Sequence, residues 1–252
     1  MHAPEHLIEY PASMTESDPQ LERIRKLLAK AEDPAVTEAE AEAYNRKAAE
    51  LVARYGIDQA MLAASGATAD EIGTLKIPMN DPYSRDKASL LTSVAYPLRC
   101  RTLLHRYGQK VDSVTVFGFH SDLGRVELLF TSLLLQASTQ LTRVRPDGFF
   151  PGESLAAYRR TWLHGFARAV HERLTHAESE AVRTAAPGAR SAELVVRDRA
   201  QLVQHAFDAE YGDLRSAAPR RLSGSGYLDG HDAGTKANLD PSALTRRQKA
   251  LR

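Results

Sequence analysis

One cysteine, Cys100, and one tryptophan, Trp162, are all that 252 residues contain of either type. A lone cysteine excludes an internal disulfide and any cysteine-based zinc ligand set. Long apolar runs are missing too. The longest, Leu128 to Leu135, is interrupted by Thr131 and Ser132 and falls far short of the ~18 residues a membrane span needs. The opening MHAPEHLIEY carries Glu5 and Glu9 and lacks an apolar h-region, so no secretory signal is read there. Nor is there charge of one sign to spare. Lys plus Arg is 33 and Asp plus Glu is 32, a formal net of +1, which steers no ligand by itself. With 43% hydrophobic and 26% charged side chains, the composition is that of a folded globular chain. A cytoplasmic protein without membrane contact is expected.

What is present is an uneven distribution of charge. Residues 18–58 hold seven basic and nine acidic side chains, residues 81–176 thirteen and eight, and residues 194–252 ten and seven. The basic surplus gathers in Arg99, Arg101, Arg106, Lys110, Arg143 and Arg145, and again in Arg220, Arg221, Arg246, Arg247, Lys249 and Arg252. An anionic partner would therefore meet the later part of the chain. A solvated surface is the competing explanation for scattered arginines.

Residues 1–16 lack periodicity and read as a flexible arm. Asp18-Pro19 is an oxygen cap followed by a proline suited to a first turn. Leu21, Ile24, Leu27, Leu28 and Ala31 then recur at helical spacing, up to Asp33-Pro34. Thr37 and Glu40 form a capping box for a second helix with the stripe Tyr44, Ala48, Leu51, Val52 and Tyr55. Gly56 is expected to close it as a left-handed C-cap. The two make an antiparallel helical hairpin within residues 17–66.

After a short helix over 58–64 and the boundary SGATAD, residues 70–240 read as a larger α+β domain. Strands are expected at 71–79, 99–106 and 111–119, the last two joined by Tyr107-Gly108-Gln109. Helices are expected at 84–95, 122–143 and 154–183, with Trp162, Phe166 and Val170 at four-residue spacing on the last. A short strand at 193–196, a helix over 198–211 and a small helix after SGSG follow, and residues 241–252 form a basic tail. The fold class is α+β, α-dominated: a helical hairpin followed by a small sheet packed by long helices.

Residues 21–58, LERIRKLLAKAEDPAVTEAEAEAYNRKAAELVARYGID, resemble the bacterial and phage family called domain of unknown function 2786. The resemblance is carried by Ile24–Glu32, the Glu40–Ala41 pair and the Ala…Leu…Tyr-Gly-Ile close at Ala48–Ile57. The segments TWLHGFARAVHERL and GYLDGHDAGTKANL look similar to parts of the second domain that often accompanies this module. The resemblance implies an intracellular bacterial or phage-type protein and carries over no catalytic residues.

The remaining motifs argue against a cofactor. His171 and His176 are five residues apart, roughly 140° around a helix, and cannot converge on one ion as an i, i+4 pair would. Gly224, Gly226 and Gly230 miss the dinucleotide fingerprint by one residue. The small residues Gly230, Ala233, Gly234 and Ala237 instead share a helix face suited to close approach by a neighbour. Cys100, in an expected strand, reads as a small core side chain. No metal and no cofactor are expected, and no coherent catalytic set is present.

The most usable feature is the hairpin from Arg99 to Phe119. Strand alternation places Arg99, Arg101 and His105 on one face, with Tyr107 at the turn. Positive charge interleaved with an aromatic can track a phosphate backbone and stack a base. The expectation is a non-catalytic binding or adaptor protein, with nucleic acid as the favoured ligand of Arg99, Arg101, Arg106, Tyr107, Lys110, Arg246 and Arg247. Two alternatives stand beside it: a hydrolase-type enzyme with a site scattered in sequence, and a protein-interaction module working through the N-terminal hairpin.

Overall fold

The computed structural model describes residues 37–143, 153–185, 191–212, 214 and 220–237. The expected arm, the first helix of the hairpin and the basic tail lie outside the described residues. Within them the chain is α+β and mostly helical, with six helices and one three-stranded antiparallel sheet. No described helix is long and apolar enough to cross a membrane.

The first described helix, α1, spans Glu38–Ala64. Its start follows the sequence signal: Thr37 Oγ1 accepts from the Glu40 N–H at 3.3 Å, and the Thr37 N–H donates to Glu40 Oε2 at 2.9 Å. Its end does not. The helix expected to close at Gly56 continues through it and absorbs the segment 58–64. Gly56 is used sideways instead, because a Cβ there would overlap the guanidinium of Arg125. The left-handed glycine of the exit is Gly66, at φ 76°. Val52, Ala53, Ile57 and Ala60 are buried against the rest of the protein.

The sheet is built from β1 (Ile72–Pro78), β2 (Arg101–Tyr107) and β3 (Lys110–Phe119), in the order β1-β3-β2. Ile72 pairs with Phe119 on one side of β3, and Arg101 with Phe117 on the other. Tyr107 opposes Lys110 across a two-residue turn, where Gly108 takes φ 57°. A bulge between His105 and Arg106 shifts the register just before that tip. Central β3 is buried on both faces. Val114 and Val116 join the main core, whereas Phe117 and Phe119 meet Val203, Phe207 and Tyr211.

Helices α2 (Ser84–Ala95), α3 (His120–Arg143) and α4 (Leu155–Thr184) supply most of that core. Leu90, Leu91, Val94, Val126, Leu129, Leu133 and Val170 are fully buried in it, and Trp162 stacks on Phe166 at 5.3 Å between ring centroids. Helix α5 (Ala192–Tyr211) replaces the expected strand at 193–196 and the helix after it. The β-branched run Val195-Val196 suggested a strand. Ser191 overrides it by accepting from the Leu194 N–H at 3.3 Å, and Val195, Arg199 and Val203 are buried at four-residue intervals.

The last helix, α6 (Tyr227–Lys236), packs by its small residues, as the sequence pattern suggests. Gly226, Gly230 and Gly234 face α4, where added Cβ atoms would run into the carbonyl oxygens of Tyr158, Trp162 and Phe166. Across the contact, Gly165 gives the same clearance to the Tyr227 carbonyl. Arg173 then closes the C-terminus of α6, donating to Gly234 O at 3.0 Å and Ala237 O at 2.6 Å.

Since backbone meets backbone along this seam, it cannot give way to a methyl group. Gly230→Ala should lower stability by about 1–3 kcal/mol or more. A melting temperature equal to that of the unmodified chain would show that α6 is not seated on α4 in this way.

Candidate anion-binding site

The arginines singled out by sequence divide sharply once folded. Arg99 is buried, not part of a strand face: it precedes β2 in the left-handed region at φ 64°, a costly choice for a residue with a Cβ. Its Nη1 donates to Glu178 Oε2 at 2.8 Å and its Nη2 to Asp122 Oδ1 at 2.9 Å. Arg125, one turn after Asp122 on α3, bridges the same two carboxylates, reaching Asp122 Oδ1 at 2.8 Å and Glu178 Oε1. The four side chains close a ring. Arg199 of α5 extends it to Asp70 at 2.6 Å, to Asp122 at 3.6 Å and to Ser121 Oγ at 3.2 Å. The Arg199 guanidinium also lies over the Phe119 ring at 3.7 Å.

Three cations and three carboxylates make this cluster neutral as well as buried. Burial pushes the Asp122 carboxyl up, but Arg99, Arg125 and Arg199 outweigh it and hold Asp122 below the ordinary aspartate range. No phosphate can reach Arg99 here. Its expected role in ligand binding is corrected by its burial. The cluster is a structural tie between α3, α4, α5 and the chain ahead of β1 and β2.

The other expected residues fare differently. Arg101 is half-buried, donating from Nε to Gln204 Oε1 at 2.5 Å and lying over Tyr96 at 5.2 Å. His105 shares a hydrogen bond with Thr115 Oγ1 at 2.8 Å. Lys110 is exposed and pairs with Asp81 at 2.7 Å. Tyr107 stands 85% exposed at the hairpin tip. Arg246 and Arg247 lie outside the described residues.

Arg106 is the one expected residue placed in a cavity. It is exposed, with no hydrogen-bond or ion-pair partner among the described residues. With Arg85 and Asp86 of α2, His164 of α4 and Arg220 it lines a concavity of about 220 Å³, walled by Leu104, Val111 and Leu222. The described lining thus holds three guanidinium groups and one carboxylate. Arg220 Nη1 reaches Asp86 Oδ1 at 2.8 Å, while Arg85 Nη1 donates to Gln109 Oε1 at 3.0 Å. Burial and the nearby charges of Arg220 and Arg106 all depress the Arg85 pKa. The site is short of negative charge.

Sequence reasoning missed Arg85, His164 and Arg220 as partners of Arg106. They come from α2, α4 and the PRRLSGSG segment, and no spacing in the chain links them. The basic character of PRRLSGSG was the one visible signal.

Histidines take separate roles. His171 Nδ1 lies 3.3 Å from Ser93 O, and its ring is 6.0 Å from Tyr96, while His176 is exposed. Cys100 is buried, as its sequence setting suggests, with Sγ directed to Leu98 O at 3.5 Å. Burial, aided by the charge of Asp122, pushes its thiol far above the ordinary cysteine range.

Residues 20–59 match the family described as "Protein of unknown function (DUF2786)". The described part of the match is the cap and about the first six turns of α1, including Gly56 against Arg125. No curated protein and no solved structure matches the chain.

Two outcomes follow from the buried cluster. Glu178→Gln leaves Arg99 and Arg125 to share the single carboxylate of Asp122 and should cost about 3–5 kcal/mol in chemical denaturation. Asp122 is depressed in the folded state, so its contribution is complete above the unfolded value and is lost as pH falls through the carboxylate range. Stability should therefore drop on acidification below about pH 4, with a shallower drop in Asp122→Asn. A third outcome concerns the thiol beside the cluster: Cys100 should resist a thiol-specific reagent at pH 8 in the folded protein and react fully in denaturant. Rapid labelling of the native chain would contradict its burial.

Proposed function

We propose that this chain, which carries a DUF2786 domain at residues 20–59, is a non-catalytic binding protein with nucleic acid as its ligand. The observation that supports this reading best is the convergence of Arg85, Arg106 and Arg220 on one cavity beside a hairpin whose tip exposes Tyr107. Guanidinium forks match phosphate oxygens in pairs, and an exposed ring offers a face to any base. Lys110 adds a cation at the tip, since its pair with Asp81 is exposed and weak enough to exchange.

A binding role fits this cavity better than a catalytic one. Its carboxylate, Asp86, is committed to Arg220, and its hydroxyl, Ser89, donates to Arg85 O. No nucleophile–base pair stands among the lining residues. The described half of the N-terminal module spends its apolar face inside the protein, through Val52, Ala53, Ile57 and Ala60. That leaves the basic surface as the better candidate for a partner.

Fluorescence anisotropy with labelled single- and double-stranded oligonucleotides across a salt series tests the reading. About four neutralised phosphates predict a log–log slope near −3 on single strands, and Arg106→Ala should flatten it by about 0.7. Tyr107→Ala should weaken binding by about 1–3 kcal/mol without changing the slope. Neither variant should shift the melting temperature much, since both side chains are exposed. Absence of binding to either oligonucleotide in low salt at micromolar protein would refute the proposal.

A further inference from the structure

We infer that the cavity between α2, the β2–β3 hairpin and the segment at Arg220 is a phosphomonoester site, built to take the terminal phosphate of a nucleic-acid strand. The inference rests on the nucleic-acid reading for the source of that phosphate, and on the cavity alone for its chemistry.

Charge is the first argument. Among the described lining residues Arg85, Arg106 and Arg220 stand with a single carboxylate, Asp86, an excess of two positive charges. A phosphodiester inside a strand carries one negative charge, whereas a terminal phosphate carries roughly 1.5 to 2 at neutral pH. The excess matches the terminal group. Crowding among the three guanidinium groups supports this, because Arg220 and Arg106 each disfavour the charged form of Arg85. A bound dianion would relieve all three at once.

Donor geometry is the second argument. Each guanidinium presents a fork of N–H donors, and a terminal phosphate offers three equivalent oxygens to satisfy. Arg220 is held in place by Asp86 at 2.8 Å and Arg85 by Gln109 at 3.0 Å. Both are positioned before a ligand arrives. Arg106 has no hydrogen-bond or ion-pair partner among the described residues, and its exposed side chain can close over a ligand.

Setting is the third. The concavity of about 220 Å³ is lined by Leu104 and Val111 of the sheet and by Leu222 beside its arginines. Arg106 lines it one residue before Tyr107, which stands exposed at the hairpin tip and can meet a base adjoining the bound phosphate.

The test uses the full chain and one single-stranded oligonucleotide sequence, labelled internally, with a 5′-phosphate, a 3′-phosphate or hydroxyls at both ends. One phosphorylated form should bind at least ~10-fold more tightly than the hydroxyl form, and Arg85→Ala and Arg106→Ala should each abolish that preference. Arg101→Ala, outside the cavity, should preserve it. In a parallel calorimetric titration a nucleoside monophosphate should bind, and the corresponding nucleoside should not. Equal binding of all three oligonucleotides would overturn the terminal-phosphate inference and leave the nucleic-acid reading standing. Binding of the monophosphate with no binding of any oligonucleotide would support the phosphomonoester site and overturn the nucleic-acid source. If neither the monophosphate nor a phosphorylated oligonucleotide binds, the cavity is not a phosphate site.

Discussion

A closed ring of buried charges holds this molecule in its shape. Asp122 and Glu178 are each bridged by both Arg99 and Arg125, and Arg199 ties the ring to Asp70 and Ser121. Placing such groups out of water is expensive, and only near-complete pairing makes it tolerable. The pairing here is demanding. Arg99 adopts a left-handed backbone to reach it, Gly56 gives up a side chain to admit Arg125, and the Nε atoms of Arg99, Arg125 and Arg199 find no partner among the described residues. A neutral cluster that recruits α1, α3, α4, α5 and the chain before β1 and β2 tolerates few alternative arrangements. It contributes specificity of packing more than net stability, because an apolar core of equal volume would be at least as stable.

That ring also decides what the surface has left to offer. Basic residues that looked equivalent along the chain fall into two physical populations. Arg99, Arg125 and Arg199 are consumed by carboxylates in the interior. Arg85, Arg106 and Arg220 meet at a cavity where, among the described residues, only Asp86 offsets them. The second population is small, but it is concave, partly pre-positioned and adjacent to an exposed aromatic. Those properties, more than the net charge of the chain, recommend it for phosphate binding.

Much of the architecture was legible beforehand, for reasons that are local. The capping box at Thr37 and Glu40, the span of α2 and the four-residue spacing of Trp162, Phe166 and Val170 are signals carried by neighbouring residues. The glycine face of α6 was legible for the same reason. What was not legible depends on distant residues. Gly56 reads as a helix stop until Arg125 is seen beside it, and Val195-Val196 reads as a strand until Ser191 and the buried Arg199 set a helical period. Arg99 reads as a surface cation until Asp122 and Glu178 surround it. The cavity was invisible for the same cause, since α2, the hairpin and the Arg220 segment are far apart in the chain.

The most direct measurement of this division is an NMR spectrum of the arginine Nε–Hε groups, recorded with and without the tighter-binding of the 5′- and 3′-phosphorylated oligonucleotides. Arg99, Arg125 and Arg199 should give slowly exchanging resonances that the ligand leaves in place, because their Nε–H groups are buried away from water and their Nη atoms are held by carboxylates. Arg85, Arg106 and Arg220 should shift on addition of the ligand, with exposed Arg106 exchanging fastest in its absence. Uniformly fast exchange of all six, or ligand-induced shifts confined to Arg99, Arg125 and Arg199, would contradict the account.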